Sequence, residues 1–396
     1  MSWLVYRVTG SVFLLGMVGF MGFFPTFILA PVAGVAADRW NRLGLLVATQ
    51  TLSMIQALIL ASLVLQGSIL VWHIFALSIF LGVVNAFDIP ARQSFVVEMV
   101  ENRDDLANAI ALNSAMFNGA RLLGPSIAGI VIAAFGEGIC FLLNGISYVA
   151  VIAALLAMRI PPKKSETSRA HVLKGMKEGF VYTFGFPPIR AVLLLLALVS
   201  LMGMPFVVLM PFFAKDVLQG GPHTLGFLMA GSGAGSLLGA LYLASRRGVL
   251  GLGRVIVFAS NLFSIGLIGF SFSRVVWLSL LMLFITGFGM MVQMASINTI
   301  LQTIVEDDKR GRVMSFYSMA AMGMTPFGSL LAGTLSEIIG PANTVLVGGA
   351  SCLMGAWYFA AKLPKMREMV RPIYVERGIL QEVATGLRDA DKMDKS

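Results

Sequence analysis

An all-helical membrane protein is the fold class this sequence predicts, and three observations predict it. Hydrophobic residues make up 57% of the 396 positions and charged residues only 12%. Mean hydropathy is +0.85, and 42 glycines are spread through the apolar runs, as in spanning helices that pack through small residues. The apolar runs are each about 20 residues long and are separated by short polar turns, which matches the thickness of a bilayer core.

Read in order, the runs predict about eleven spans, at 11–37, 43–66, 72–99, 106–134, 138–159, 188–214, 222–246, 252–272, 276–304, 311–336 and 342–363. The basic residues set their orientation. Nearly all of the 29 Lys and Arg fall in alternate loops around Arg39, Arg103, Arg159 to Arg190, Arg246 to Arg254 and Lys309 to Arg312, and in the tail after Lys362. These loops and the C-terminus are expected in the cytosol of a cell-membrane protein. Only Arg7, Lys215 and Arg274 fall on the other side, while Arg92 and Arg121 fall inside spans. Trp72 and Trp277 begin spans at the outer interface, where indole rings collect. A net charge of +9 distributed in this way does not describe a nucleic-acid-binding face.

An internal repeat divides the chain. At an offset of about 205, Trp72 matches Trp277, Gly82 matches Gly287, and Val100-Glu101 matches Val305-Glu306. At about 204, Gly124, Ala128-Gly129, Gly136 and Ser147 match Gly328, Ala332-Gly333, Gly340 and Ser351, and at about 210 Leu15-Gly16 matches Leu225-Gly226. Paired halves of this kind build rocking transporters. The expected organisation is a remnant of a first span and its outer loop at 1–10, an N-terminal half at 11–159, a linker at 160–187, a C-terminal half at 188–363 and a cytosolic tail at 364–396. In the linker Leu173, Met176, Phe180 and Phe184 recur at helical spacing beside Lys174, Lys177 and Glu178, predicting a helix on the membrane surface. Residues 1–8 rise about 12 Å as a helix, too little for a core of about 30 Å. The repeat shifts the span at 188–214 back to a position mostly before Met1. A first span of twelve is therefore expected to be missing from the chain as given.

Charges within apolar runs mark candidate sites, since each costs about 3 kcal/mol at mid-helix. Asp88 lies well inside its span, and Arg92 is one turn on, with Pro90 between them. Arg121 lies about 22 Å into its span, near the midplane. Asp88 admits two readings. It titrates and couples protons to substrate, or it is permanently paired and satisfies the bend at Pro90; the second is favoured because intramembrane ion pairs must stay paired to be tolerated. The two cysteines, Cys140 and Cys352, and the three histidines show no metal-ligand spacing. No Ser/His/Asp, metal or phosphate-cradling arrangement is visible, so no enzyme, no metal and no cofactor are expected.

Gly34 to Arg42 reads GVAADRWNR, a charged turn between two spans, in which Gly34 is expected to admit a closely packed neighbouring helix. Its spacing G-x-x-x-D-R-x-x-R resembles the signature loop between the second and third spans of the major facilitator superfamily, with Asn41 at a usual glycine and Leu43 at a usual basic residue. The run Ala120 to Gly129, ARLLGPSIAG, resembles that superfamily's antiporter motif gxxxGPxxGG, with Ala120 and Ala128 in place of two glycines. There Gly124 and Pro125 are expected to bend the helix and Gly129 to admit another helix closely. AFDIPARQ (86–93), LANAIALNSAMFNGARLLGP (106–125) and FLLNGISY (141–148) together are similar to the branch of enterobactin exporters and macrolide efflux proteins.

That resemblance covers almost the whole chain. It implies a major facilitator fold of two pseudo-repeated halves, monomeric in the bilayer, that exports a small amphipathic organic compound such as a siderophore, a macrolide or a similar drug by proton antiport and alternating access. It also implies that Asp38 and Arg39, with Gly34 and Arg42, latch the cytosolic side, Glu98 being the acidic partner. The arginine that many proton-coupled relatives carry in the fourth span would fall near Ser78, where this chain has none. Two other classes stay open: an uptake carrier for a lipid or nutrient, and a membrane sensor or scaffold that keeps the fold without transport.

Overall fold

The computed structural model describes residues 1–99, 105–158, 180–246 and 248–380, and within these it leaves undescribed the side chains of Asp38, Arg39, Glu98 and Arg121, among others. The described residues form helices: α1 (Ser2–Thr9), α2 (Val12–Arg39), α3 (Arg42–Leu65), α4 (Val71–Glu98), α5 (Leu106–Ala157), α6 (Pro187–Leu198) and α7 (Phe206–Phe212). Then follow α8 (Pro222–Ser245), α9 (Leu252–Phe272), α10 (Val276–Ile304), α11 (Asp307–Ser318), α12 (Thr325–Ile339) and α13 (Pro341–Glu376). Single π-helical turns at Val199–Gly203 and Met319–Gly323 interrupt the columns α6–α7 and α11–α12, and another at Phe213–Val217 follows α7. The helix boundaries follow local chemistry. Gly10, at φ 65°, ends α1 with its N–H on the Tyr6 carbonyl, and the Ser11 and Asn41 side chains accept from Leu14 and Gly44 to cap α2 and α3. Pro187, Pro222 and Pro341 open their helices, where a missing N–H costs nothing.

Nine of the described helical stretches are long and apolar enough to cross a membrane. That number treats Leu122–Ala157 as one stretch and does not include Asp307–Ile339. The 52 residues of α5 break at Gly136, whose φ of 82° and ψ of 168° lie where side chains clash. Its repeat partner Gly340, at φ 85° and ψ 152°, makes the corresponding turn between α12 and α13. The backbone stays helical through Gly124 and Pro125, so the departure from helical angles in α5 lies at Gly136 and not at the proline.

The repeat is visible in the packing. In the N-terminal half α4 packs on α2 and α3, and α3 on α5; in the C-terminal half α10 packs on α8 and α9, and α9 on α13. A β-carbon on Gly82 would lie 2.5 Å from the Gly22 carbonyl oxygen, and one on Gly287 would lie 1.9 Å from that of Ser232. These two repeat-related glycines each let the fourth helix of a half cross the second at backbone contact.

Two segments pack more closely on the C-terminal half than their composition indicates. The last helix runs through Pro364 and Pro372 to Glu376, 13 residues beyond the span end read from the sequence. Its extension holds because Met366 and Val370 are buried against the core of Ile189, Val192, Val255 and Ile300, and Arg377 donates to the Val305 carbonyl at 2.8 Å. Met366→Ala is therefore expected to cost about 2 kcal/mol, seen as a lowered melting temperature in detergent with transport per folded molecule unchanged. Of the linker's apolar stripe, Leu173 and Met176 lie outside the described residues. Phe180 and Phe184 stack with ring centroids 4.5 Å apart and meet the edge of Phe316 of α11 at 6.1 and 5.9 Å, so they pack on the C-terminal half.

Candidate functional site

The two halves meet at one end of the bundle and part toward the other. At the end carrying α1, Trp72 and Trp277, a β-carbon on Gly16 of α2 would lie 2.5 Å from the Ser329 carbonyl oxygen and 2.7 Å from Gly333 Cα of α12. A β-carbon on Gly129 of α5 would lie 2.7 Å from the Pro222 carbonyl oxygen, and one on Gly226 of α8 would lie 2.6 Å from that of Pro125. Gly16 and Gly226 are repeat partners, as are Gly129 and Gly333. The two contacts are thus one contact made twice, by helices exchanged between the halves. Below Gly16 an aromatic seam continues the α2–α12 contact, with Phe20, Phe24 and Phe27 each edge-on to Phe327 at centroid distances of 6.4, 6.3 and 5.4 Å.

Toward the end that carries the 34–42 loop these contacts stop. Among the described residues no other element comes within 4 Å of where β-carbons on Gly34, Gly119 or Gly124 would stand, and Leu112, Met116 and Leu123 of α5 are exposed. The close helix expected at Gly34 is not seen among the described residues in this conformation. Gly129 does lie at a close helix contact. Asp38, Arg39 and Glu98, expected in a latch, have side chains outside the described residues; Arg42 opens α3 directly after its Asn41 cap.

Asp88 sits in a polar cluster between α3 and α4. Its carboxylate, 5% exposed, accepts from Gln50 Nε2 at 2.7 Å and Thr49 Oγ1 at 2.9 Å on one oxygen, and from Arg92 Nη2 at 2.5 Å on the other. Thr49 has one hydroxyl hydrogen and also lies 3.0 Å from the Leu46 carbonyl, so it chooses between the two acceptors. The guanidinium of Arg92 is mostly exposed. The side chain of Arg121 is outside the described residues. Sequence reading missed Thr49 and Gln50 as partners, although Thr49, Gln50, Ser53 and Gln56 form a buried polar stripe at helical spacing in an otherwise apolar span. The repeat partner of Asp88 at the offset of 205 is Gln293, fully buried, with both amide atoms unpaired among the described residues. The two halves therefore differ where the N-terminal one holds its charge.

The comparisons with known proteins agree with this architecture. A family model described as "Transmembrane secretion effector" matches residues 1–380. The chain belongs to this family of major facilitator transporters. It is 27% identical over 375 residues to the staphyloferrin A transporter of Staphylococcus aureus, covering 93% of this chain and 92% of that one. It is 25% identical to the multidrug efflux pump Tap of Mycolicibacterium fortuitum, over 93% and 91% of the two chains. It is 22% identical to the macrolide efflux protein A of Streptococcus pyogenes, over 86% and 85%. Among solved structures it resembles the nucleoside transporter NupG with a TM-score of 0.69 at 13% identity, covering 91% and 93% of the two chains. It resembles a bacterial homologue of the iron transporter ferroportin with a TM-score of 0.65 at 18% identity, covering 89% and 90%. These structural likenesses establish the fold. The chain is an integral membrane protein of the major facilitator fold, a transporter of small molecules with efflux-type relatives.

Proposed function

We propose that this transporter exports a small amphipathic organic compound, a siderophore, a macrolide or a similar drug, by alternating access driven by proton antiport, as a monomer. The observation that carries the reading is the asymmetry of the inter-half contact: backbone-close glycines at the α1 end, and open space around Gly34, Gly119 and Gly124 at the other. The open end carries the basic loops, which the positive-inside rule assigns to the cytosol together with the C-terminus. The described conformation is then the one that collects substrate from inside the cell. Its relatives named for multidrug and macrolide efflux support an export direction.

In this reading Asp88 is structural, since its carboxylate already holds three donors and leaving the buried Gln50 amide unpaired is costly. The test uses inverted membrane vesicles energised to acidify their lumen, with a macrolide and staphyloferrin A as probes. Accumulation of a probe that collapses with a protonophore is the expected result. Accumulation only in right-side-out vesicles would make the chain an uptake carrier, and flux indifferent to the proton gradient would remove antiport.

The 34–42 loop is assigned to the opposite phase of the cycle. When the cytosolic ends close, Asp38 is expected to cap a neighbouring helix end and pair with arginine, latching that state. Asp38→Asn is expected to lower transport per folded molecule about tenfold with little change in expression. Equal transport per folded molecule would sink the latch.

A further inference from the structure

The helix α1 lies across the boundary between the halves. Leu4 and Val5 are buried with Leu15, Val18, Leu60 and Ile74 of the N-terminal half, while Trp3 is buried with Phe206, Phe213 and Leu267 of the C-terminal half. Arg7 Nε binds Glu137 of α5 at 2.5 Å, which fixes α1 to its own half. From that anchored position Tyr6 reaches across. Its hydroxyl donates to Asp216 in the π turn Phe213–Val217, Lys215 Nζ stands 5.4 Å from its ring centroid, and Phe212 meets it edge-on at 6.4 Å.

With Arg274, the first residue after Ser273 in the α9–α10 turn, Asp216 lines one open cavity of about 280 Å³, together with Gly340, Pro341 and Asn343. Both residues belong to the C-terminal half and move together, whereas Tyr6 belongs to the other half. When the halves part at this end, Tyr6 leaves the exposed Asp216 carboxylate, and Arg274, in the same half and lining the same cavity, is a cation that can take its place.

We propose that Tyr6 and Asp216 form the latch that holds the α1 end of the transporter shut, and that Arg274 is the alternative partner that receives Asp216 when the latch opens. This rests on the alternating-access reading above. The two glycine contacts make close approach sterically possible, but they carry no directional bond. The Tyr6–Asp216 hydrogen bond is charge-assisted and crosses the interface, so it favours the closed end specifically. Arg274 opposes it by stabilising the separated state. The three side chains would then set the balance between the two conformations rather than touch the transported molecule.

Spin labels on cysteines at positions 68 and 275, in a background with Cys140 and Cys352 changed to alanine, report the separation of the halves at this end. Ser68 and Val275 are exposed and lie on opposite halves. Tyr6→Phe keeps the ring beneath Lys215 and against Phe212 and removes one oxygen. It is expected to raise the population of the long distance about tenfold. Arg274→Gln is expected to shift the population the opposite way. An unchanged distance distribution in folded Tyr6→Phe protein, or a shift of the same sign in both variants, would overturn the latch. Proton-driven flux, measured in the same reconstituted vesicles, tests the alternating-access reading separately, because the distance readout does not depend on substrate.

Discussion

Replacing Gly16 with leucine is expected to abolish export while leaving a folded, membrane-inserted chain. A β-carbon there meets the Ser329 carbonyl oxygen at 2.5 Å and Gly333 Cα at 2.7 Å, and both are backbone atoms that cannot rotate aside. Overpacking of this kind costs about 1–3 kcal/mol. The two conformations of a transporter differ by only a few kcal/mol, so a penalty confined to one of them moves most molecules into the other. The strain is relieved when α2 and α12 separate, and folding of each half does not require the contact. Gly226→Leu should behave alike, because its β-carbon meets the Pro125 carbonyl oxygen at 2.6 Å in the repeat-related contact. The check is transport in vesicles alongside thermal melting. Wild-type flux in either variant would show that the glycine contacts are not part of the cycle.

The second large effect is expected at Asp88, and it separates the two readings of that carboxylate. Asp88→Leu strips the acceptor from Gln50 Nε2, which is buried, and from Arg92 Nη2, which is mostly exposed. Thr49 can turn back to the Leu46 carbonyl. The orphaned Gln50 amide alone costs about 1–3 kcal/mol, and the Arg92 contribution is smaller because its guanidinium is open to its surroundings. The variant should melt well below wild type and insert in reduced amount. Asp88→Asn keeps one carbonyl oxygen for Gln50 and is expected to fold and to retain proton-linked export. Normal folding with loss of proton coupling in Asp88→Asn would assign the proton to Asp88 and reverse the structural reading.

The residues that proved legible and those that did not differ in a simple physical respect. The ends of α9 and α10, at 252–272 and 276–304, could be read directly, because a turn in a membrane protein must expose its backbone to water and therefore advertises itself by composition. The end of α13 could not. Residues after Lys362 are polar enough to look like a tail, and only burial of Met366 and Val370 against α6, α9 and α10 makes them a helix. Asp88 and Arg92 pair within one helix, so their spacing announced the contact. Thr49 and Gln50 come from another helix, and a polar stripe says that a partner exists without naming it.

The glycine repeats are the most instructive case. Gly16 with Gly226, and Gly129 with Gly333, were visible as matched pairs along the chain, each partner about 204 to 210 residues from the other. Nothing in the sequence shows that the spatial contacts run crosswise, Gly16 to Gly333 and Gly129 to Gly226, because that follows from the two-fold relation between halves. By itself the sequence determined what water and lipid enforce locally: helical spans, their approximate ends, a repeated plan and the rare intramembrane charges. Only the tertiary structure decided what depends on where two halves come to rest against each other. That includes which end is closed, that Gly34 stands clear, and that Tyr6 crosses 210 residues of chain to reach Asp216. The physical reason is that span formation is governed by each segment's own transfer into the bilayer. Contact between halves is governed by packing among surfaces that are all equally apolar, and such packing leaves no mark in composition.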